Sequence, residues 1–360
     1  MQEKATPILR RALLRAAGAS YSAEAAARAH DVGENQHSGL TAWALTTGEA
    51  GMRTQARGLA RGVADEVTEK VVLSRPPWRK APSGRLILRG LTAESDRIEP
   101  PWPDLIVSSG RRSALIAREA RRLAGGRPLL VHVQDPRGGS GAFDLVIAMD
   151  HDRVQGPNVV RVATALHDVT PARLEAAANA WRGRLAGLKP PLIGVVVGGP
   201  AGRAPFGLEE GRALLEKVIA MKAASGGGVA VVPSRRTPEE VVELFADAAK
   251  QDAGLWVWRR DGDNPYLGVL ALADRLVVTG DSVSMVSEAL ATPHPVEVFT
   301  PWLRSTQQRF LAGLQARGLV RICDGAWTEP APRPVVDATA EAVAAVRRLL
   351  ADRGLAQRGV

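Results

Sequence analysis

The sequence predicts an α/β fold: two doubly wound, mostly parallel, Rossmann-like domains that face each other across a cleft. Three observations lead to this prediction. Short apolar segments of strand length alternate with amphipathic segments of helix length. The alternation recurs on both sides of the stiff segment Lys189-Pro190-Pro191. The length of 360 residues suits about two domains of ~150 residues each.

In the first half, apolar runs that end at Gly, Ser or Asp predict the strands. The first run is followed by a Gly-containing loop at 46–51 and a helical stretch on which Arg53, Arg57 and Arg61 share a face. Residues 74–103 are rich in Pro, Arg and Trp and predict an irregular excursion with some helix. The predicted strands are 41–45, 71–73, 104–108, 129–133, 145–148 and 158–162, and the helices are 52–67, 114–123 and 171–185.

The second half repeats the scheme. Pro238 suits the first turn of a helix, and Thr292-Pro293 ends another. The last helix is amphipathic and is predicted to cross back onto the first domain. Strands are predicted at 192–197, 229–232, 255–258, 275–278 and just before Phe299, and helices at 208–223, 238–249, 267–273, 285–291, 306–317 and 337–353.

Composition excludes several classes of protein. A single cysteine, Cys323, excludes an internal disulfide framework and favours a reducing, cytoplasmic location. The net charge is +9, but aromatic residues make up only 4%, and no basic run is interleaved with them, which argues against nucleic-acid binding. The basic surface still allows a peripheral contact with the inner face of a membrane. No apolar run approaches the ~20 residues that span a bilayer.

Motifs for several common chemistries are missing. The sequence has no lysine-containing phosphate loop, no serine nucleophile elbow and no dinucleotide G-x-G-x-x-G. No histidine or cysteine pair has ligand spacing, although Asp150-His151-Asp152 loosely resembles a D-x-D metal site. We therefore expect neither a metal nor a resident cofactor.

Three loops of the second half follow strand ends and should converge at one edge of a parallel sheet. Gly198 and Gly199 would let the backbone approach a phosphate, and Arg235 and Arg236, next to Ser234, offer planar guanidiniums that suit phosphate oxygens. The third loop, 281–284, opens a helix whose free N–H groups favour an anion. Its polar side chains are Asp281, Ser282 and Ser284, and Met285 is the first predicted residue of the helix. Together these loops predict a diphosphate site.

The string D-S-V-S-M-V-S-E-A at 281–289 resembles the bacterial branch of the elongated-mitochondria (mitochondrial fission Elm-type) family. The surrounding segment resembles the nucleotide-sugar-binding half of GT-B glycosyltransferases. The resemblance implies a GT-B-like fold and a nucleotide sugar, UDP-linked, as donor. It implies that Glu288 holds the ribose, and that the loop 259–266, with Asn264 and Tyr266, lies beside the base. Pro200 departs from the pattern, because serine often stands there.

In this comparison the first half would hold the acceptor. Glu49 follows the first strand and is the favoured base for an acceptor hydroxyl; His151, between two aspartates, is its competitor. The loop 109–113 adds Arg111 and Arg112, which suit an anionic acceptor. The predicted domains are an extension at 1–39, an acceptor domain at 40–188, a nucleotide-sugar domain at 189–335 and a C-terminal helix at 336–360.

The leading interpretation is a metal-independent GT-B glycosyltransferase that transfers a sugar from a nucleotide sugar to an acceptor not identified by the sequence. Two alternatives stay open. One is a non-catalytic adaptor, since plant members of the resembling family are associated with recruiting the mitochondrial fission machinery. The other is a nucleotide-sugar epimerase on the same fold. A substitution of Glu288 is expected to weaken nucleotide binding and to leave folding nearly unchanged.

Overall fold

A computed structural model describes residues 39–201, 204–329 and 332–355. The predicted extension therefore lies outside the described residues, apart from Gly39. The first of two sheets has six strands in the order β2-β1-β3-β4-β5-β6, all parallel. These strands are β1 Thr41–Thr46, β2 Glu66–Val71, β3 Leu105–Ser109, β4 Leu129–Val133, β5 Leu145–Met149 and β6 Val159–Val162.

The second sheet also has six parallel strands, in the order β12-β11-β10-β7-β8-β9. Both sheets are doubly wound, which confirms the predicted fold class. The strands are β7 Leu192–Val197, β8 Gly228–Pro233, β9 Leu255–Val257, β10 Arg275–Thr279, β11 Val296–Phe299 and β12 Arg321–Ile322.

Ten α-helices connect the strands of the described chain, together with a 3-10 turn at Trp78–Lys80. The central strands are buried on both faces, as expected for parallel sheets covered by helices. The helices are α1 Ala50–Arg61, α2 Gly84–Leu88, α3 Arg111–Leu123, α4 Pro171–Trp181, α5 Leu208–Ser225, α6 Glu239–Gln251, α7 Tyr266–Leu272, α8 Val283–Leu290, α9 Ser305–Ala316 and α10 Ala338–Asp352.

One prediction in the first half was wrong. Residues 52–67 were expected to be helical, with a strand at 71–73, but α1 ends at Arg61 and the strand β2 occupies Glu66–Val71. The strand lies at the sheet edge and keeps most of its residues partly exposed, so it lacks the apolar run that marks the central strands. Arg53, Arg57 and Arg61 all lie within α1, so only the predicted C-terminal end of the helix was wrong.

The chain crosses between the two sheets twice. Helix α4 belongs in sequence to the first half, yet it packs on α7, where the Trp181 indole lies against Gly268. Helix α10 follows the second sheet, yet Ala342, Val346 and Leu350 lie in the apolar core of the first. The exact domain limits stay a prediction.

The strand order reverses once in each sheet, between β1 and β3 and between β7 and β10. At such a switch point the loops diverge and leave a crevice outside the carboxyl ends of the strands, where ligands bind in doubly wound proteins. Among the described helices, none is long and apolar enough to cross a membrane.

Candidate functional site

The two switch points meet at the start of α1 and α8. A Cβ atom placed on Gly51, in the first turn of α1, would lie 2.9 Å from the Ser284 Oγ of α8. One turn further along α8, the Ser287 hydroxyl accepts a hydrogen bond of 2.9 Å from the Ala165 N–H. The loop after β1 and the loop after β10 are therefore adjacent, across the junction of the two sheets.

The glycine pair after β7 is held by an aspartate. The Gly198 N–H donates to the Thr279 hydroxyl (2.7 Å), and the Gly199 N–H donates to Asp281 Oδ2 (3.2 Å). A Cβ atom on Gly198 would lie only 2.1 Å from Asp281 Oδ1. This close approach explains why glycine stands at position 198. The hydrogen bond from Gly199 means that one of the amides expected to hold a phosphate already has a carboxylate partner.

Arg236 completes this cluster. Its Nη2 pairs with Asp281 Oδ2 at 2.7 Å, and its Nη1 donates to the carbonyls of Gly199 and Pro200. The Asp281 side chain is only 6% exposed, and its Oδ1 has no hydrogen-bond partner among the described residues. The loop after β8 therefore reaches the glycine loop, as the sequence predicted, but through an Arg–Asp pair rather than around an open space.

The rest of the β8 loop is tied down by hydroxyl groups. Thr237 Oγ1 donates to the carbonyls of Val197 and Gly198, and it lies 3.2 Å from the Ser234 hydroxyl. Arg235 is exposed and forms no ion pair within the described part of the chain. It is thus the cation of this loop that remains available to a ligand.

Helix α8 begins at Val283, two residues before the start predicted from the sequence. The Ser282 hydroxyl accepts the Met285 N–H at 3.4 Å, so this serine caps the helix. Its neighbour Val283 packs against both apolar cores, and Ser284 faces Gly51. The start of the helix thus lies at the junction of the two sheets.

Glu288 lies further along α8 and is paired with Tyr266. Tyr266 is the first residue of α7, and its hydroxyl donates a hydrogen bond to Glu288 Oε2. Burial raises the pKa of Glu288 to about 7, the charge of Asp168 adds to this, and the Tyr266 hydroxyl opposes it. This pair explains the tyrosine after Asn264-Pro265, and it argues against the expectation that a substitution of Glu288 leaves folding nearly unchanged.

Two local hydrogen bonds and one contact with another loop hold the loop before α7. The Asn264 side chain accepts the Tyr266 N–H (2.9 Å), and the Trp258 indole N–H donates to the Asp261 carbonyl (2.7 Å). Arg260 has a left-handed backbone (φ 67°), donates to the Thr237 carbonyl and pairs with Glu239. It joins the loops after β8 and β9, a contact that only the fold reveals.

On the first sheet, Glu49 is the residue directly before α1, and its side chain forms no capping hydrogen bond with the helix. Its carboxylate accepts the Thr47 hydroxyl (2.6 Å) and pairs with Arg112 Nη2 (2.8 Å) at the start of α3. Burial alone would raise the pKa of this carboxyl, but the Thr47 hydroxyl, a backbone amide and Arg112 outweigh it, and the net shift is downward. Glu49 is therefore ionised at neutral pH and 43% exposed.

His151 occupies a different place. Strands β3 and β4 separate β5 from β1, so the loops that carry His151 and Glu49 leave the sheet roughly 14 Å apart. The His151 ring lies edge-on to Phe310 of α9, at 5.9 Å between ring centroids. Asp150 pairs with Arg317, and Asp152 accepts the Met149 N–H, so both flanking carboxylates have other partners.

A charged network beside Glu288 was not predicted as part of the site. Arg57 of α1 pairs with Asp168 (2.7 Å) and with Glu69 of β2 (3.3 Å), and Arg173 of α4 also pairs with Asp168 (2.7 Å). The recurring arginines of α1 were the only signal in the sequence. The network links the first sheet to the segment that crosses to the second. Within the described residues, no group of three or more His, Cys, Asp or Glu side chains could hold a metal ion.

Comparison with solved structures gives only low similarity. UDP-GlcNAc 2-epimerase from Methanocaldococcus jannaschii matches 86% of this chain and 99% of its own, at 10% identity and a TM-score of 0.49. Os79 from O. sativa in complex with UDP matches 88% and 93%, at 10% identity and a TM-score of 0.47.

Sequence comparison is more decisive. The family model Mitochondrial fission ELM1 matches residues 50–350. Mitochondrial fission protein ELM1 of Arabidopsis thaliana is 32% identical over 290 residues, which cover 72% of this chain and 67% of that protein. An uncharacterized protein of Rickettsia prowazekii (strain Madrid E) is 26% identical over 242 residues, 57% of this chain and 67% of its own. The matched region includes β7–β11 and every predicted site residue except Glu49; the chain belongs to the mitochondrial fission ELM1 family.

Proposed function

We propose that the protein is a GT-B-type glycosyltransferase that uses a nucleotide sugar as donor and binds its acceptor on the first sheet. One observation carries the proposal: the crevices at the two switch points adjoin each other, with Ser284 against Gly51. This arrangement would bring a donor on the second sheet next to an acceptor on the first. A cleft of this kind favours a reaction between two bound molecules.

In this reaction an acceptor hydroxyl oxygen attacks the anomeric carbon, and the bond from that carbon to the diphosphate breaks. Glu49 accepts the proton of the acceptor hydroxyl, because its carboxylate is ionised and exposed. Arg235 and the N–H groups at the start of α8 meet the negative charge that develops on the leaving diphosphate. Glu288, with Tyr266 behind it, accepts hydrogen bonds from the ribose hydroxyls.

The Asp281–Arg236 pair favours a second candidate, the non-catalytic adaptor. Asp281 already accepts the Gly199 N–H and neutralises Arg236, so a diphosphate must displace a carboxylate to reach either group. If that displacement does not occur, the second sheet binds no nucleotide, and the fold serves only to hold a binding surface. The two candidates therefore differ in one measurable property, nucleotide binding.

The first experiment measures the melting temperature of the protein with UDP, GDP, CMP and UDP-sugars. A glycosyltransferase must be stabilised by at least one of them, because a ligand at 100 times its Kd adds about 2.7 kcal/mol to the stability of the folded state. If none raises the melting temperature and isothermal titration shows no binding, the adaptor becomes the better conclusion. Conversion of a UDP-sugar to its epimer without an acceptor would favour the epimerase.

The second experiment separates binding from chemistry. Glu49→Gln should keep its nucleotide affinity, since the donor lies on the other sheet, and should lose about 10²–10⁴-fold in transfer rate. His151→Asn is the matched comparison and should keep its rate, because its ring contacts Phe310 away from Glu49. A full rate in Glu49→Gln with a large loss in His151→Asn would reverse this assignment.

A further inference from the structure

A cavity of about 720 Å³ opens at the carboxyl ends of β1, β3 and β4. Glu49 and Met52 form part of its wall, and the other walls come from the loop around Lys80, the first two turns of α3 and the loop after β4. A second cavity of about 350 Å³ shares Thr47, Glu49, Arg79 and Arg112 with it. The space is large enough for a small organic ligand.

The charge of this cavity is strongly one-sided. Among the described residues, six cationic side chains line it, and Glu49 is its one carboxylate. Arg112 is paired with Glu49 at 2.8 Å, and within the described residues none of the other five forms an ion pair. The cations are Arg79, Lys80, Arg111, Arg112, Arg118 and Arg137. A wall with this excess of positive charge attracts a ligand with more than one negative charge.

The fold gives Arg112 a partner in Glu49, but it does not explain the position of Arg111. Arg111 and Arg112 are the first two residues of α3, where the helix dipole disfavours positive charge, and the first turn contains no acidic residue. Gly110, the residue before the helix, has φ 90° and no capping side chain, so the first N–H groups of α3 have no side-chain acceptor there. A Cβ atom at this position would also lie 2.3 Å from Met52 Sδ. A bound anion would satisfy both Arg111 and the free amides.

The cavity also has an apolar wall. Met52, Ala114, Leu115 and Phe143 line it together with Pro82. Inorganic phosphate would leave this surface uncovered, whereas an organic group attached to the phosphate would bury it. The ligand therefore combines a phosphate with an apolar or weakly polar body.

We propose that this cavity binds an organic phosphate monoester or diphosphate, with the phosphate on Arg111, Arg118 and the start of α3. If the function proposed above is correct, this molecule is the acceptor, and its hydroxyl lies at Glu49. The binding site itself rests only on the cavity and its charges. Its test is therefore independent of any transfer reaction.

The test measures phenyl phosphate, inorganic phosphate and phenol by isothermal titration calorimetry. Phenyl phosphate should bind more tightly than either of the others, because it alone reaches both the cations and the apolar wall. Arg111→Gln and Arg118→Gln should each weaken phenyl phosphate binding about tenfold or more, as expected when a charged hydrogen-bond donor is lost. Arg122→Gln is the control on the same helix, since Arg122 is 62% exposed and paired with Glu119, and its affinity should equal that of the wild type.

Three results would overturn the proposal. Phenol could bind as tightly as phenyl phosphate, all three arginine variants could lose affinity equally, or no phosphate compound could bind at all. A fourth, loss of binding in Arg235→Gln alone, would assign the anion to the second sheet. Sedimentation with phosphatidic acid and phosphatidylcholine vesicles identifies the source of the phosphate. Selective binding to phosphatidic acid that Arg111→Gln abolishes indicates a lipid ligand; phenyl phosphate binding without vesicle binding indicates a soluble one.

The two proposals can fail separately. If phenyl phosphate binds as described but no nucleotide binds, the anion site stands and the glycosyltransferase function fails. If nucleotides bind to a protein that ignores phenyl phosphate, the donor site stands and the phosphorylated acceptor is wrong.

Discussion

Glu288→Gln is predicted to stabilise the protein at alkaline pH and to have little effect at pH 4.5. Burial and the nearby Asp168 raise the pKa of Glu288 to about 7, from a reference value of 4.5. Below pH 4.5 the carboxyl is protonated in both the folded and the unfolded protein. As the pH rises from 4.5 to about 7, the unfolded chain releases this proton and the folded protein retains it, so stability is lost.

The size of the effect follows from the shift. A rise of about 2.5 pKa units corresponds to about 3 kcal/mol at 1.36 kcal/mol per unit. Glu288 is partly exposed, and screening by solvent reduces this value, so we expect about 1–3 kcal/mol above pH 7. Gln carries no charge, and its side-chain oxygen can still accept the Tyr266 hydroxyl. At roughly 2 °C per kcal/mol, the variant should melt about 2–6 °C above the wild type.

The assay is differential scanning calorimetry of both proteins at pH 4.5 and pH 8.5. Glu216→Gln, an exposed glutamate in the middle of α5, is the matched control and should show no such dependence on pH. The reasoning is refuted if Glu288→Gln melts below the wild type at pH 8.5, because the ionised carboxylate would then be stabilised by its surroundings, for example by Arg173. Weaker UDP binding by the same variant would support the ribose contact.

Three further substitutions test other parts of the structure. Gly198→Ala should abolish nucleotide binding and lower the melting temperature, because its Cβ would lie 2.1 Å from Asp281 Oδ1; an unchanged UDP titration would contradict this. Arg275→Met should cost about 3–5 kcal/mol in urea unfolding, since it leaves the Glu297 carboxylate, 2% exposed and 2.6 Å from Arg275, buried without its partner; a loss below 1 kcal/mol would contradict it. Leu350→Ala should cost about 2–5 kcal/mol, because Leu350 lies in the first sheet's core, whereas partly buried Leu349→Ala should cost less.

The central strands could be predicted because their signal is local. The segment Leu192–Val197 and the residues 276–278 of β10 are apolar, are buried on both faces and are followed by glycine or a small polar residue. The edge strand β2 could not be predicted in the same way, because one of its sides faces solvent and its sequence, EVTEKV, carries charge. Its place in the sheet depends on hydrogen bonds to β1, a distant contact.

The candidate site likewise contains local features that the sequence could predict and distant contacts that it could not. Apart from its first two residues, helix α8 could be predicted from the sequence, since its apolar pattern is local. The Asp281 pair with Arg236 could not, because 45 residues separate the two partners. The raised pKa of Glu288 could not be predicted either, since it depends on burial and on Asp168, which is 120 positions away in the chain.

By itself, the sequence determined the alternation of strands and helices, the Gly-rich and Ser-rich loops at strand ends, and the family. Each of these depends on residues that are close together in the chain, or on a string long enough to be specific. Only the tertiary structure decided that Ser284 lies against Gly51, that Asp281 accepts the Gly199 N–H, and that the cations around Arg111 and Arg118 line one cavity. Such contacts depend on strand order and on the two crossings of the chain, and a linear pattern does not encode either one locally.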